Sequence, residues 1–340
     1  MTRPEVQPPR AVVTRKDVAR YAGVSTAVVS YVVNSGPKNV APATAARVLD
    51  AIRVLGYRPN AAARALKLGS SEMLGLIISE NSNPLFAQLA HSVEEAADRL
   101  GFALLLADSN DSLAKERRHL RNFISRQVTG VLLDSVAIEP DLAETVSADI
   151  PVVLLNQSRA APGFAGVGVD LRQGARDAVR HLAGHGHRNI GLVMGSTVTY
   201  ETDDRERGWL DALAAEGLSE GPIARTRFSR EGGYAAGKRL LAGAERPTAV
   251  FVSSDSQAVG VLRAFHEGGI RIPEDVAIIS FDGSPEAEYT WPALTTVQQP
   301  LAAMAAAAVD AIVGTDPAEQ LHRIFPTELV IRRSCGCQAL

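Results

Sequence analysis

From residue 73 to residue 283, short apolar runs alternate with amphipathic stretches, and that alternation leaves few folds open to the chain. The runs are "MLGLIIS", "FALLLAD", "VTGVLLD", "PVVLLNQ", "RNIGLVMG", "TAVFVSSD" and "VAIISFDG". Between them lie segments such as "PLFAQLAHSVEEAADRLG", "LAKERRHLRNFISRQ", "ARDAVRHLAGHG", "ERGWLDALAAEG", "GGYAAGKRLLAG" and "SQAVGVLRAFHEGG". Near-continuous Val, Ile and Leu over five or six residues marks strands buried on both faces, and amphipathic helices between them supply the covering layers. The pattern predicts parallel α/β sheets over most of the chain.

The 340 residues are too many for one small core. At 46% hydrophobic and 21% charged, composition is that of an ordinary globular protein. No apolar run reaches the roughly 18 residues of a membrane span. The opening "MTRPEVQPPRAVV" lacks the apolar core of a signal peptide. Cys335 and Cys337 are the only cysteines, so no disulfide framework is expected and a reducing cytoplasm fits.

Charge is divided unevenly. Residues 1–70 carry 11 Lys and Arg against 3 Asp and Glu, a balance of +8, whereas the remainder carries 24 against 35, a balance of −11. A basic head on an acidic body points to a polyanion partner for the head, although a solvated basic tail would show the same charge. Local pattern separates the two. Thr14 with Asp17 three residues on approaches a capping box, and Val18, Ala19 and Ala22 follow at helical spacing. Gly23 permits a tight turn, and Ser25 can cap a second helix whose Val28, Val29, Val32 and Val33 face a core. Thr26, Ala27, Ser30, Tyr31 and Asn34 remain on the outer side. Pro42 suits the first turn of a third helix running to Gly56. Short helices around a Gly turn describe a helix-turn-helix, with a generic three-helix bundle as the bland alternative, and an outer face of small polar groups and one tyrosine suits a major groove.

The segments "TRKDVARYAGVSTAVVSYVVN" and "VAPATAARVLDAIRVLGYRPNAAARAL" together resemble the DNA-binding head of the lac repressor (LacI/GalR) family. The resemblance implies base reading by Thr26, Ala27 and Tyr31, and phosphate contact by Thr14, Ser25, Ser30 and Asn34. Val28 and Tyr31 depart from a common threonine and arginine, and "GPKN" is one residue longer than usual, which bears on the operator sequence rather than on DNA binding. "RPNAAARALKLGSS" corresponds to the hinge of the family, a helix too short to persist alone in water. The resemblance implies that it orders on the operator, where Leu66 wedges between base pairs with Asn60, Ala63 and Lys67 nearby, the alternative being Leu66 packed on the body.

For residues 14–335 the resemblance implies a helix-turn-helix head and a periplasmic-binding-protein-like body of two parallel-sheet lobes. The expected organisation is an extension over 1–13, the head over 14–58, hinge and linker over 59–71, and an effector-binding and dimerisation region over 72–340. Family topology divides that region into one lobe of about 72–167 with 300–326 and another of about 168–299 with 327–340.

Ligands of open α/β sheets bind beyond the carboxyl ends of strands. Asn156, Ser254, Asp255 and Asp282 sit at such ends, and Arg205 begins a helix after one. An Arg and an Asp facing one cleft can clamp hydroxyls, as sugar recognition requires. The resemblance assigns Phe86, Asn156, Arg205, Ser254 and Asp282 to the effector; Asp282 could instead serve the turn at Gly283, and Asp255 reads better as a helix cap. Ser254 departs from a frequent asparagine and Leu85 from a frequent aromatic, so the ligand stays open.

Enzyme signatures are missing: "GVGVD" lacks the remainder of a dinucleotide fingerprint, and neither a nucleophile elbow nor a phosphate loop occurs. His181, His185 and His187 fall in a helix-to-strand turn that the family fills similarly, and "CGC" at 335–337 reads as two idle thiols, so no metal and no cofactor are expected. The expected protein is an effector-controlled repressor, not an enzyme. It would bind a pseudo-palindromic operator as a homodimer, because one helix-turn-helix reads too few bases. "IRRSCGCQAL" adds no leucine-heptad tail for a tetramer. The alternative class, a solute-binding protein serving a transporter, would need a leader segment and no basic head; a gel shift on genomic DNA separates the two.

Overall fold

The computed structural model describes residues 13–33, 39–58, 71–135, 150–195, 202–314 and 322–337. It divides into two units, Met1–Ser71 and Glu72–Leu340. Of the expected DNA contacts, Asn34, Asn60, Ala63, Leu66 and Lys67 lie outside the described residues.

In the first unit, α1 (Arg15–Ala22), α2 (Thr26–Val33) and α3 (Pro42–Leu55) form the predicted trio. The Asp17 carboxylate accepts the Thr14 amide at 3.0 Å and the Thr14 hydroxyl at 2.6 Å, which starts α1. Gly23 ends it at φ +65°, where a side chain would be strained. Two residues later the Ser25 hydroxyl accepts the Val28 amide at 3.3 Å, so the second helix begins at once. Val18, Ala19, Ala22, Val29, Val48, Ala51 and Tyr57 make the core. Of the four valines expected to face it, Val29 alone is fully buried and Val28, Val32 and Val33 are half-buried, because three short helices enclose too little volume to cover a four-valine stripe.

The second unit holds two six-stranded sheets. The first sheet contains β1 (Met73–Ile78), β2 (Ala103–Asp108), β3 (Gly130–Leu133), β4 (Val152–Leu155), β5 (Ala165–Val169) and a late strand, β11 (His322–Phe325). Its order is β11-β5-β4-β3-β1-β2, with every pair parallel. The helices α4 (Pro84–Arg99) and α5 (Leu113–Ser125) connect its first three strands. The chain leaves this sheet at Val169 and enters α6 (Leu171–Gly184).

The second sheet contains β6 (Ile190–Gly195), β7 (Ile223–Thr226), β8 (Ala249–Val252), β9 (Ala277–Asp282), β10 (Thr295–Gln298) and β12 (Glu328–Val330). The order is β12-β10-β9-β8-β6-β7, parallel except for β12, which runs antiparallel to β10. Its connecting helices are α7 (Asp204–Ala215), α8 (Arg230–Ala242), α9 (Asp255–Glu267) and a single turn, α10 (Glu286–Tyr289). After β10 the chain returns to the first lobe as α11 (Leu301–Val313), whose Leu301, Met304, Ala308 and Ile312 enter the core shared with Leu89 and Val93 of α4. It then adds β11 to the first sheet and β12 to the second. The chain therefore passes between the two sheets three times, after β5, after β10 and between β11 and β12, and loops that follow parallel strands of the two sheets meet.

Candidate DNA-reading helix and effector cleft

Helix α2 owes its reading face to what it does not bury. Thr26 and Ala27 are exposed, and Ser30 and Tyr31 are half-exposed, whereas Val29 is buried. Thr14 and Ser25, at the amino ends of α1 and α2, are exposed as well. Small side chains here leave the helix free to sit deep in a groove, and helix amino ends offer amides to phosphate.

In the second unit, α4 through α9 each begin with a side-chain cap, and that of α7 shapes the cleft. Asp203 caps α7 by accepting the Arg205 amide at 2.8 Å. The same carboxylate takes the Arg205 guanidinium in a fork, Nε at 3.0 Å and Nη2 at 2.9 Å, while Nη1 donates to the Ser253 carbonyl at 2.9 Å. Arg205 thus keeps its charge with its head fixed, 4.8 Å over the Phe228 ring and 5.8 Å from that of Phe281. Although burial disfavours Arg205's charge, Asp203 more than offsets it and holds the guanidinium above its ordinary range, with Asp282 adding to the effect.

Asp282 ends β9 at φ +120° and is buried. Burial and the neighbouring Asp255 charge push its carboxyl well above the usual range; Arg205, the Gln299 amide at 3.1 Å and the Asp255 backbone amide act against that rise. Each further donor, a ligand hydroxyl among them, would favour the ionised form of this carboxyl.

The cap expected of Asp255 is made by its neighbour, Ser254. Ser254 is the α9 cap, its hydroxyl accepting the Gln257 amide at 3.2 Å. Asp255 is no cap: its carboxylate accepts from Ser280 at 2.5 Å, Thr296 at 2.8 Å and the Ser284 amide at 2.6 Å. With its lone pairs committed to β9, β10 and the following loop, Asp255 holds the second lobe's edge together.

On the first lobe, Asn156 follows β4 at φ +57° and its side chain is hydrogen-bonded to Asp134, which follows β3. Phe86 belongs to the first-lobe core beside Leu85 and Leu89. Among the described residues, polar groups of the two lobes meet at several points. The Ser256 hydroxyl donates to Asn83 at 3.4 Å; Ser158 and Arg159, in the loop after β4, donate to Asp204 of α7 at 2.5 and 2.7 Å; and Asp111 feels the charge of Arg227. Sequence reasoning missed Asp203, Phe228, Gln299 and Asp204. The "TDD" ahead of Arg205 was a cap signal, but its fork onto Arg205 needed coordinates.

A helix-turn-helix unit followed by a two-lobed, cleft-bearing body defines the class of ligand-responsive DNA-binding regulators. The family described as bacterial regulatory proteins, lacI family, matches residues 14–60, and a periplasmic binding protein-like domain matches residues 179–335. The HTH-type transcriptional repressor PurR of Photobacterium profundum is 33% identical over 328 residues, covering 94% of this chain and 98% of that protein. The lac repressor dimer bound to operator and the anti-inducer ONPF superposes with a TM-score of 0.86 at 26% identity, covering 95% of this chain and 99% of that one. A CelR–cellobiose complex, also a transcriptional regulator, superposes with a TM-score of 0.70 at 31% identity, covering 95% and 99%. The chain belongs to the lacI family of bacterial regulatory proteins and is a transcriptional regulator, not an enzyme. Among the described residues no helix is long and apolar enough to cross a membrane.

Proposed function

We propose that two copies of this chain repress transcription from a pseudo-palindromic operator, in the cytoplasm and at the nucleoid, and that a small polyhydroxy ligand of the sugar class bound between the lobes sets operator affinity. Thr26, Ala27 and Tyr31 read bases, and Thr14, Ser25, Ser30 and Asn34 contact phosphate. Asn60, Ala63, Leu66 and Lys67 form a hinge in the minor groove with Leu66 as wedge. Arg205, Asp282, Asn156, Ser254 and Phe86 take the ligand. The observation that carries the reading is the pairing of a fixed guanidinium, flanked by Phe228, with a buried carboxylate at the adjacent strand end. Rings with hydroxyl edges fit such a site, with a donor and an acceptor at the rim and an aromatic face below. The cellobiose bound by the similar CelR supports the same ligand class.

The test pairs calorimetric titration of mono- and disaccharides, cellobiose among them, with operator binding followed by fluorescence anisotropy. A binding sugar is expected to change operator affinity about 5–150-fold, the usual span of allosteric coupling. Asp282→Ala should bind operator as the parent does and lose the sugar response. Leu66→Ala should weaken operator binding and leave sugar affinity in the free protein nearly unchanged. Retention of both sugar affinity and response by Asp282→Ala overturns the cleft assignment.

A further inference from the structure

Two histidines and two cysteines set aside in the sequence meet at the end of the second sheet where β9 and β10 begin. His181 lies in the last turn of α6 and His185 caps that helix's carboxyl end, so a spacing of four places them one above the other, ring centroids 4.7 Å apart. The chain's last described segment comes back to them after β12. Ser334 threads it into the lobe: its carbonyl accepts the Ile278 amide at 2.8 Å, and its hydroxyl accepts the Thr295 amide at 2.8 Å and donates to the Ile278 carbonyl at 2.7 Å. That anchor fixes Cys335, fully buried, with the Thr295 hydroxyl 3.1 Å from its sulfur. Gly336 then turns at φ +95°, a conformation that side chains resist, and presents Cys337 to the histidines.

The result is a cluster of four donors. Cys337 Sγ is 3.5 Å from His181 Nε2 and 3.2 Å from His185 Nε2, and His181 also contacts Cys335. The four ligand atoms all lie within 4.8 Å of one another. A tetrahedral zinc ion with Zn–S of about 2.3 Å and Zn–N of about 2.0–2.1 Å has donor–donor edges of roughly 3.3–3.8 Å. The two measured S···N edges need shift by only a few tenths of an ångström to meet that. His187 is outside the set, because its Nδ1 is engaged with the Thr248 hydroxyl at 3.1 Å.

We propose that His181, His185, Cys335 and Cys337 form a tetrahedral Zn(II) site that staples the C-terminal segment to α6. Two thiolates with two imidazoles in this geometry select zinc among the common divalent ions, and both thiols give up their protons to solvent as the ion enters. The site lies where β9 and β10 begin, whereas the effector cleft lies where they end, so the ion has a structural role apart from ligand binding. It holds the segment that carries β12 and the Ser334 anchor onto the second lobe, and the bound ion stabilises the folded chain by mass action.

The experiment uses the full-length protein, reduced and stripped with a chelator, then titrated with Co(II) and afterwards Zn(II). The expected result is one cobalt per chain, with sulfur-to-cobalt charge transfer in the near ultraviolet and the intense visible bands of a tetrahedral ion, both removed by an equivalent of zinc. Zinc should also raise the melting temperature. Because Cys335 is in the core, the variants are Cys337→Ser and His185→Leu, at the half-buried and exposed ligands. Each should weaken binding by more than the ~10–100-fold that loss of an outer-shell partner costs, and each should lose the zinc-dependent rise in melting temperature. His187→Ala should bind as the parent does. The proposal is overturned if the reduced chain binds no cobalt, if the bound cobalt lacks the sulfur band, or if Cys337→Ser and His185→Leu bind as tightly as the parent.

Discussion

Asp134 shows how a single buried carboxyl shapes the rim of the cleft. It follows β3, accepts the Ser79 amide at 3.2 Å and is hydrogen-bonded to Asn156, yet burial outweighs these partners and pushes it up to about 6. Below pH ~4 the folded and unfolded chains both hold the proton. As pH climbs from there to about 6, the unfolded chain releases it first, so folding loses stability across that window. A shift of this size corresponds to roughly 3 kcal/mol by neutral pH. Asp134→Asn keeps an acceptor for Ser79 and removes the charge. It should raise stability by about 1–3 kcal/mol at pH 7 and by little near pH 4, as read from urea unfolding at the two pH values. Equal gains at both would mean that charge at Asp134 is not the cause.

Among the elements, α1 depends most on a local device, because at eight residues it is too short to persist by propensity. The Asp17 carboxylate satisfies two donors of Thr14, and those two hydrogen bonds, with Arg20 adding a smaller pull, hold it below the usual carboxylate range. Asp17→Ala should loosen the first turn of α1 by leaving the Thr14 amide and hydroxyl without their acceptor. Amides of Ala19 through Ala22 should then exchange faster than in the parent in the intact protein, with body amides unchanged. The same segment shows how far pattern reading reaches: Thr14, Gly23 and Ser25 act within four residues of themselves, so their roles were legible. The degree of burial of Val28, Val32 and Val33 depends on how α1 and α3 close over them, and it was not.

For the body as a whole, the contacts between lobes determine how ligand binding reports to the rest of the chain. Asp204, on α7, is the most connected of them, receiving Ser158 and Arg159 from the first lobe and Arg207 from its own helix. Asp204→Ala removes both cross-lobe bonds and leaves the Arg205–Asp203 fork in place. It should therefore shift the lobes toward separation and weaken the cleft's ligand severalfold, while leaving the ligand's stoichiometry unchanged. Calorimetry with the sugar found for the parent measures the affinity. An unchanged affinity would show that these bonds do not bias the lobe arrangement.

The division between sequence and fold follows the range of the forces. Periodicity of apolar residues is a local property, so the alternation of strands and helices, the Gly23 turn and the basic head were readable from the chain alone, and the family resemblance extended them to two lobes. Which carboxylate meets which donor is set by residues tens to hundreds of positions apart. Asp255 read as a cap because its neighbours in sequence are a strand end and a helix start; the fold brings Ser280, Thr296 and Ser284 to it, and Ser254 takes the cap. The histidines at 181 and 185 and the thiols at 335 and 337 looked idle for the same reason. Some 150 residues separate the pairs, and only the threading of Ser334 between β9 and β10 closes that distance to 3.2 Å.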